Sequence, residues 1–175
     1  MKKKALIVSI QGPVLTSKEK ALLSKENPWG LIIFKRNIKS FKQIQNLIKD
    51  IKKYTGDKKF PILIDEEGLK VSRLSKFFNH NINANFFGNL FGIDEKIAIS
   101  LYKTYLKILC KNLRTIGITV NTIPVLDVLR KNTHSIIGNR SFSKEKRIVK
   151  KLGELTIKEC RSQKIINVIK HIPGH

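Results

Sequence analysis

Apolar residues along the chain alternate between two patterns. Short unbroken apolar runs occupy positions 5–11, 30–34, 61–65, 118–120 and 167–169, and each predicts a strand. Segments of helical period lie between them. Thr16 and Glu19 have the spacing of a capping box, ahead of a short helix carrying Leu22 and Leu23. Ser40 and Gln43 repeat that spacing before Ile44, Leu47, Ile48 and Ile51, an i, i+3, i+4, i+7 face that Gly56 ends. Asp94 and Glu95 open a long helix whose predicted inner face is Ile97, Leu101, Tyr105, Ile108 and Leu113, closed by Gly117. Ser143 is placed to cap a helix carrying Val149, Leu152, Leu155 and Cys160. The Phe- and Asn-rich stretch 77–91 has no clear period, and we expect an extended loop with an irregular helical turn there.

Strands that are apolar throughout are covered on both faces, and helices between them imply parallel pairing. The expected class is therefore α/β, built from repeated βα units, as an open doubly wound sheet or as a (β/α)8 TIM barrel. No GxGxxG or P-loop motif follows the first strand. That removes the main support for a nucleotide-binding open sheet.

Composition changes this picture little. The chain has 175 residues and 41% hydrophobic content, enough for one domain with a core. Cys110 and Cys160 both fall in helical segments, which is no disulfide framework and fits a reducing compartment. The basic start at Lys2, Lys3 and Lys4 mimics a signal peptide, but the following run is short and lacks a small-residue cleavage site. No apolar run approaches the roughly 20 residues of a membrane span, so no membrane partner is expected.

The charge is extreme: 35 Lys and Arg against 13 Asp and Glu, a formal +22. Such a balance admits nucleic acid or an anionic surface as a partner. Two observations argue against a specific nucleic-acid partner. Lysines such as Lys42, Lys49, Lys52 and Lys53 fall on polar helix faces, and no zinc finger or aromatic Gly-rich strand pair is present. Abundant Lys, Ile and Asn with only four alanines (Ala5, Ala21, Ala84, Ala98) fit an A/T-rich gene.

The unusual polar residues share one position in the repeat, at the downstream end of a strand or just beyond it. Asp65, Glu66 and Glu67 end the third strand, with Arg73 in the following loop. Asn121 and Asp127 follow the fourth, with Arg140 in the loop after it, and Lys170 and His171 end the fifth. In a barrel this is the active-site face, and in an open sheet it is the ligand edge. Each residue also has a structural reading. Asp65 could cap the next segment, and adjacent Glu66 and Glu67 point apart, so at most one faces a ligand while the other makes a salt bridge. Arg140 stands out because Gly138-Asn139 and Ser141-Phe142 would aim it. Asp127 is expected to hold its loop through backbone N–H groups. His171 and His175 are four apart like a zinc pair, but Pro173-Gly174 forbids that helix and no third ligand is visible, so no metal is expected. His80 and His134 lie in polar loops and are expected to be solvated.

Together these blocks resemble glycoside hydrolase family 3. The matching segments are Gly30-Leu-Ile-Ile-Phe34 with Arg36-Asn37; Ile64-Asp65-Glu66-Glu67-Gly68 with Val71 and Arg73; Asn121 to Val128; Ile137 to Phe142; and Lys170-His171-Ile172-Pro173-Gly174-His175. The set is most similar to the cytoplasmic β-N-acetylhexosaminidase branch. The resemblance implies a (β/α)8 barrel that removes terminal β-linked N-acetylglucosamine from muropeptides with retention and without a cofactor. It implies that residues 1–175 are the N-terminal part of one catalytic barrel, about five of eight βα units. It assigns Asp65, Arg73, Arg140, Lys170 and His171 to sugar binding. In that branch the acid/base is a His on an Asp-Ser-His loop just after the Pro-Gly-His segment, and the nucleophile is an Asp on a later strand. Both are expected beyond His175, and no residue here matches either. One departure is Gly68-Leu69-Lys70 where the family has Gly-Gly-Arg, and Leu69 is expected to crowd the turn that places Arg73. Rival readings are a non-catalytic saccharide-binding remnant and a basic nucleic-acid binder.

Overall fold

The computed structural model describes residues 3–79 and 82–175. His80 lies outside the described residues. Five strands, β1 (Lys4–Val8), β2 (Pro28–Ile33), β3 (Ile62–Ile64), β4 (Val120–Asn121) and β5 (Ile166–Asn167), form one sheet with every neighbouring pair parallel. Their spatial order is their chain order, β1-β2-β3-β4-β5. A doubly wound sheet reverses direction at a switch point, and this sheet does not. It winds one way, as barrel strands do, so right-handed crossovers put all connecting helices on one face. The register aligns Ile33 with Ile64, Ile64 with Asn121 and Asn121 with Asn167. The ends of β3, β4 and β5 are therefore level, and the residues just past them share one rim.

The helices are α1 (Ser17–Glu26), α2 (Phe41–Thr55), α3 (Ala84–Ile93), α4 (Glu95–Ile116) and α5 (Lys146–Ser162). Thr16 and Glu19 form the reciprocal capping box of α1. Ser40 caps α2 by accepting from the Gln43 N–H, but the Gln43 side chain reaches one residue further back, to the Lys39 N–H. Gly56 and Gly117 close α2 and α4 in the left-handed conformation. Ile44, Leu47, Ile48 and Ile51 are all buried against the sheet, as the spacing predicts.

Three expectations are corrected. The second half of the stretch 77–91, where an irregular turn is expected, is the start of α3, a ten-residue helix that runs on to Ile93. Phe, Asn and Gly are poor helix formers, so burial of Phe87 and Phe91 and close packing at Gly88 decide the matter, not propensity. The inner face of α4 is Ala98, Tyr102, Leu106, Leu109, Cys110 and Leu113. Ile97, Leu101 and Ile108 are exposed, so the buried face lies about one residue out of phase with the expected one. Ser143 does not cap α5, which starts at Lys146; its hydroxyl accepts from the Glu145 N–H instead. The strands are also offset from or shorter than their apolar runs, with β5 at Ile166–Asn167.

Candidate functional site

The rim beyond β3 is built around two adjacent carboxylates that point apart. Glu66 turns inward and is fully buried. Asn121 clamps its backbone, accepting from the Glu66 N–H at 3.0 Å and donating to the Glu66 carbonyl at 2.8 Å. Its carboxylate accepts from the Ser72 hydroxyl, the Arg73 N–H at 2.8 Å and the Leu74 N–H at 3.1 Å. The loop 67–74 is thereby tied back on itself, and Arg73 is carried to the rim. Burial pushes the Glu66 carboxyl up from its ordinary value, against the pull of those donors. Leu69 does not crowd the turn. It is half exposed, and the positive backbone angle falls on Gly68 (φ 143°), where an added Cβ would lie 2.4 Å from the Ile82 carbonyl oxygen.

Glu67 turns the other way and gathers cations. Its carboxylate accepts from Arg140 Nε at 2.7 Å and Nη2 at 3.0 Å, and Lys170 Nζ lies 2.5 Å away. The Glu67 side chain is only 6% exposed and that of Arg140 11%, so little water screens the pair. The Glu67 carboxylate raises the Arg140 guanidinium above its ordinary value. Arg140 ends a short 3-10 turn, Gly138–Arg140, between the buried anchors Ile137 and Phe142. That anchoring aims it, as the sequence suggested.

Asp65 stands between the two loops. Thr122 donates its hydroxyl to Asp65 Oδ1 at 2.6 Å, Arg73 Nη2 donates to Oδ2 at 3.2 Å, and Lys170 Nζ lies 3.6 Å from Oδ1. Burial opposes ionisation of Asp65, but Thr122, Lys170 and Arg73 outweigh it and hold the carboxyl below its ordinary range. Lys170 reaches this point because pairing resumes past β5: Val125 bridges Lys170, and the Leu126 N–H donates to the Lys170 carbonyl at 2.6 Å. Lys170 Nζ also donates to Thr122 Oγ1 at 2.8 Å.

His171 comes next along this segment, oriented by Asp127. The Asp127 carboxylate accepts from the His171 N–H at 3.2 Å and the His175 N–H at 2.9 Å, and Oδ2 lies 2.6 Å from His171 Nδ1. Asp127 thus holds a loop through backbone N–H groups, as expected, but the loop is the one after β5. Burial alone would raise its carboxyl; the His171 and His175 contacts lower it below the ordinary range. The His171 and His175 rings meet edge to face at 4.8 Å between centroids. Among the described residues no group of three or more His, Cys, Asp or Glu is placed to hold a metal. His134 is exposed in its loop, its Nδ1 accepting from the Ile136 N–H.

Asp65, Arg73, Arg140 and Lys170 therefore form one polar network, with His171 beside Lys170 and the whole on the rim of β3, β4 and β5. Glu67 is the salt-bridging member that the sequence predicts for the acidic pair, whereas Thr122 is a connector that the sequence reading leaves unmarked. Glu67 bridges Arg140 to Lys170, and Thr122 bridges Asp65 to Lys170. Thr122 carried a signal in its place one residue past β4, the counterpart of Asp65 past β3. Arg73 Nε is buried with no hydrogen-bond partner, a free donor inside the network. Two carboxylates facing three cations at a strand-end rim can bind a neutral polyhydroxylated ring, accepting from some hydroxyls and donating to others.

Comparison with known proteins fits this arrangement. A β-hexosaminidase of Stenotrophomonas maltophilia (strain K279a) is 27% identical over 170 residues, 97% of this chain and 50% of the relative. One of Hydrogenovibrio crunogenus is 29% identical over 170 residues, 97% of this chain and 47% of the relative. Among solved structures, native NagZ from Neisseria gonorrhoeae superposes with a TM-score of 0.91 at 28% identity, covering 99% of this chain and 50% of that one. The same protein in complex with N-trifluoroacetyl-D-glucosamine also matches at 0.91, with 28% identity over 99% of this chain and 52% of that one. This chain spans about half the length of the curated relatives it matches. The matched half of NagZ carries the same one-way parallel sheet, so the fold is the N-terminal portion of an α/β barrel. Residues 3–175 match the glycosyl hydrolase family 3 N-terminal domain, and the chain belongs to that family.

Proposed function

We propose that this chain supplies the sugar-holding part of a β-N-acetylhexosaminidase acting on terminal β-linked N-acetylglucosamine. The observation that carries the reading is the convergence of Asp65, Arg140 and Lys170, from three successive βα units, through Glu67 and Thr122. The relatives named β-hexosaminidase and the NagZ complex with a glucosamine derivative support the substrate class. Asp65 accepts hydrogen bonds from two ring hydroxyls; Arg73, Arg140, Lys170 and His171 donate to the remaining oxygens. These contacts fix the ring orientation needed for an oxocarbenium-like transition state.

In this reading residues 1–175 belong to a single catalytic barrel. An acid/base His and a nucleophilic Asp come from polypeptide following His175, and attack on the anomeric carbon proceeds with retention. Glu66, Glu67 and Asp127 take neither role, because each is occupied in holding a neighbouring loop or cation. The physiological substrates are peptidoglycan-derived muropeptides in the cytoplasm. No helix among the described residues is long and apolar enough to cross a membrane.

The test is calorimetric titration of the chain with N-acetylglucosamine, and with glucose as the comparison. Saturable binding of the first, lost in Asp65→Ala and Lys170→Ala, is expected. Equal affinity for both sugars, or binding indifferent to both substitutions, would overturn the reading. A protein that carries this chain together with the remaining barrel strands should release the chromophore from an aryl β-N-acetylglucosaminide.

A further inference from the structure

The seam between α4 and α5 is strongly basic. Two grooves lie end to end along it. One, about 350 Å³, is flanked by Lys103 on α4 and by Lys151 and Lys158 on α5. The other, about 600 Å³, is flanked by Lys107, Lys111 and Arg114 and reaches Gln163 at the foot of α5. Glu154 is the sole acidic residue lining either. None of the six cations takes part in an ion pair among the described residues. They contrast with the sugar-site cations Arg73, Arg140 and Lys170, all of which are matched by carboxylates.

The spacing is regular. Lys103, Lys107 and Lys111 are four apart on one helix, about 6 Å per step along the axis, with Arg114 completing the row. α5 supplies the opposite wall. The seam ends at Arg114, Thr115 and Gln163, just before β4 and β5 begin, so it runs away from the rim that holds Asp65 and Lys170. A concave basic furrow suits a single extended polyanion better than a flat bilayer. No lining residue is aromatic, so bases would have no stacking platform.

We propose that the α4–α5 seam binds single-stranded nucleic acid through its phosphates, without sequence preference and separately from the sugar site. Neutralising six phosphates on a single strand predicts a slope of log K against log[salt] of about −4.

Fluorescence anisotropy of the purified chain with labelled oligo(dT), titrated at several salt concentrations, tests this. Two charge reversals of equal size are compared. Lys107→Glu, Lys111→Glu and Arg114→Glu together should weaken binding at least tenfold and reduce the slope to about −2. Lys42→Glu, Lys49→Glu and Lys53→Glu, on the exposed face of α2, should leave most of the affinity. Equal loss in both variants would overturn the proposal, since net charge alone would then explain binding. So would binding to phosphatidylserine vesicles without binding to the oligonucleotide. A readout on the unsubstituted chain stands apart from any folding defect: oligo(dT) should protect Lys107 and Lys111 from acetylation while Lys42 and Lys49 stay reactive. Protection absent at the first pair would equally refute the site.

Discussion

Glu67 holds the Arg140 guanidinium with both carboxylate oxygens, at 2.7 and 3.0 Å, from 73 residues away in the chain. The same carboxylate lies 2.5 Å from Lys170. One acidic side chain thus fixes two of the cations proposed to grip the sugar, and both members of the Arg140 pair are nearly dry.

Removing a partner from such a pair leaves an uncompensated charge. Glu67→Ala should destabilise the fold by about 3–5 kcal/mol. Glu67→Gln keeps the shape but loses the charge, and should weaken N-acetylglucosamine binding at least tenfold with a smaller loss of stability. Urea unfolding and sugar titration of the two variants check this. An Ala variant as stable as the parent would contradict the hub role.

Glu66 behaves oppositely, because burial raises its carboxyl while three donors surround it. Glu66→Gln can satisfy them: the amide oxygen accepts from the Arg73 and Leu74 N–H groups, and the amide N–H donates to the Ser72 hydroxyl. A raised folded-state value means the charged form is disfavoured in the fold. Any cost of that charge is absent below the ordinary glutamate value and appears as pH rises through the raised one. The Gln variant should therefore gain stability relative to the parent across that window. Chemical denaturation between pH 4 and 8 measures it; a gap that narrows with rising pH would refute it.

Asp65 titrates in the other direction. Thr122, Lys170 and Arg73 outweigh the effect of burial and lower its carboxyl. Its contribution is fully present above the ordinary aspartate value and is lost as pH falls through the lowered one. The stability difference between the parent and Asp65→Asn should therefore be constant near neutrality and shrink in acid. Urea midpoints from pH 7 down to 2.5 test the sign.

Two glycines of α3 should respond differently to alanine. A Cβ at Gly88 would lie 1.7 Å from the Phe142 carbonyl oxygen, a backbone atom that cannot step aside. Gly88→Ala should cost about 1–3 kcal/mol or more. At Gly92 no atom lies within 4 Å, and Gly92→Ala should stabilise by about 0.5–1 kcal/mol. Thermal melts of both variants decide the point.

The legible and illegible parts of the fold divide by physical cause. α2 was readable because Ile44, Leu47, Ile48 and Ile51 form one stripe on an otherwise polar helix. α4 carries apolar residues on two neighbouring stripes. Ile97, Leu101 and Ile108 compete with Ala98, Tyr102, Leu106 and Leu109, and period alone does not choose between them. Contact with α3 and α5 chooses, since Tyr102 hydrogen-bonds Thr156 at 2.8 Å and its ring packs 4.5 Å from that of Phe87. In the candidate site, position past a strand end was readable. Pairing was not: that Glu67, and not Asp65, would take the Arg140 fork depends on the facing of two adjacent carboxylates. The Asn121 clamp on the Glu66 backbone, with the Ser72, Arg73 and Leu74 donors to its carboxylate, settles that facing.

The one-way winding of the sheet has a consequence for synthesis on the ribosome. Glu67 emerges long before its partners, with Lys170 following 103 residues later (170 − 67). At ordinary translation speeds the wait is about 5–20 s. Until then the carboxylate is solvated and the rim has no reason to close. Stalled nascent chains cut before residue 140 should resist protease poorly at 67–74, and residues 1–175 carried clear of the exit tunnel on an unstructured linker should protect that loop.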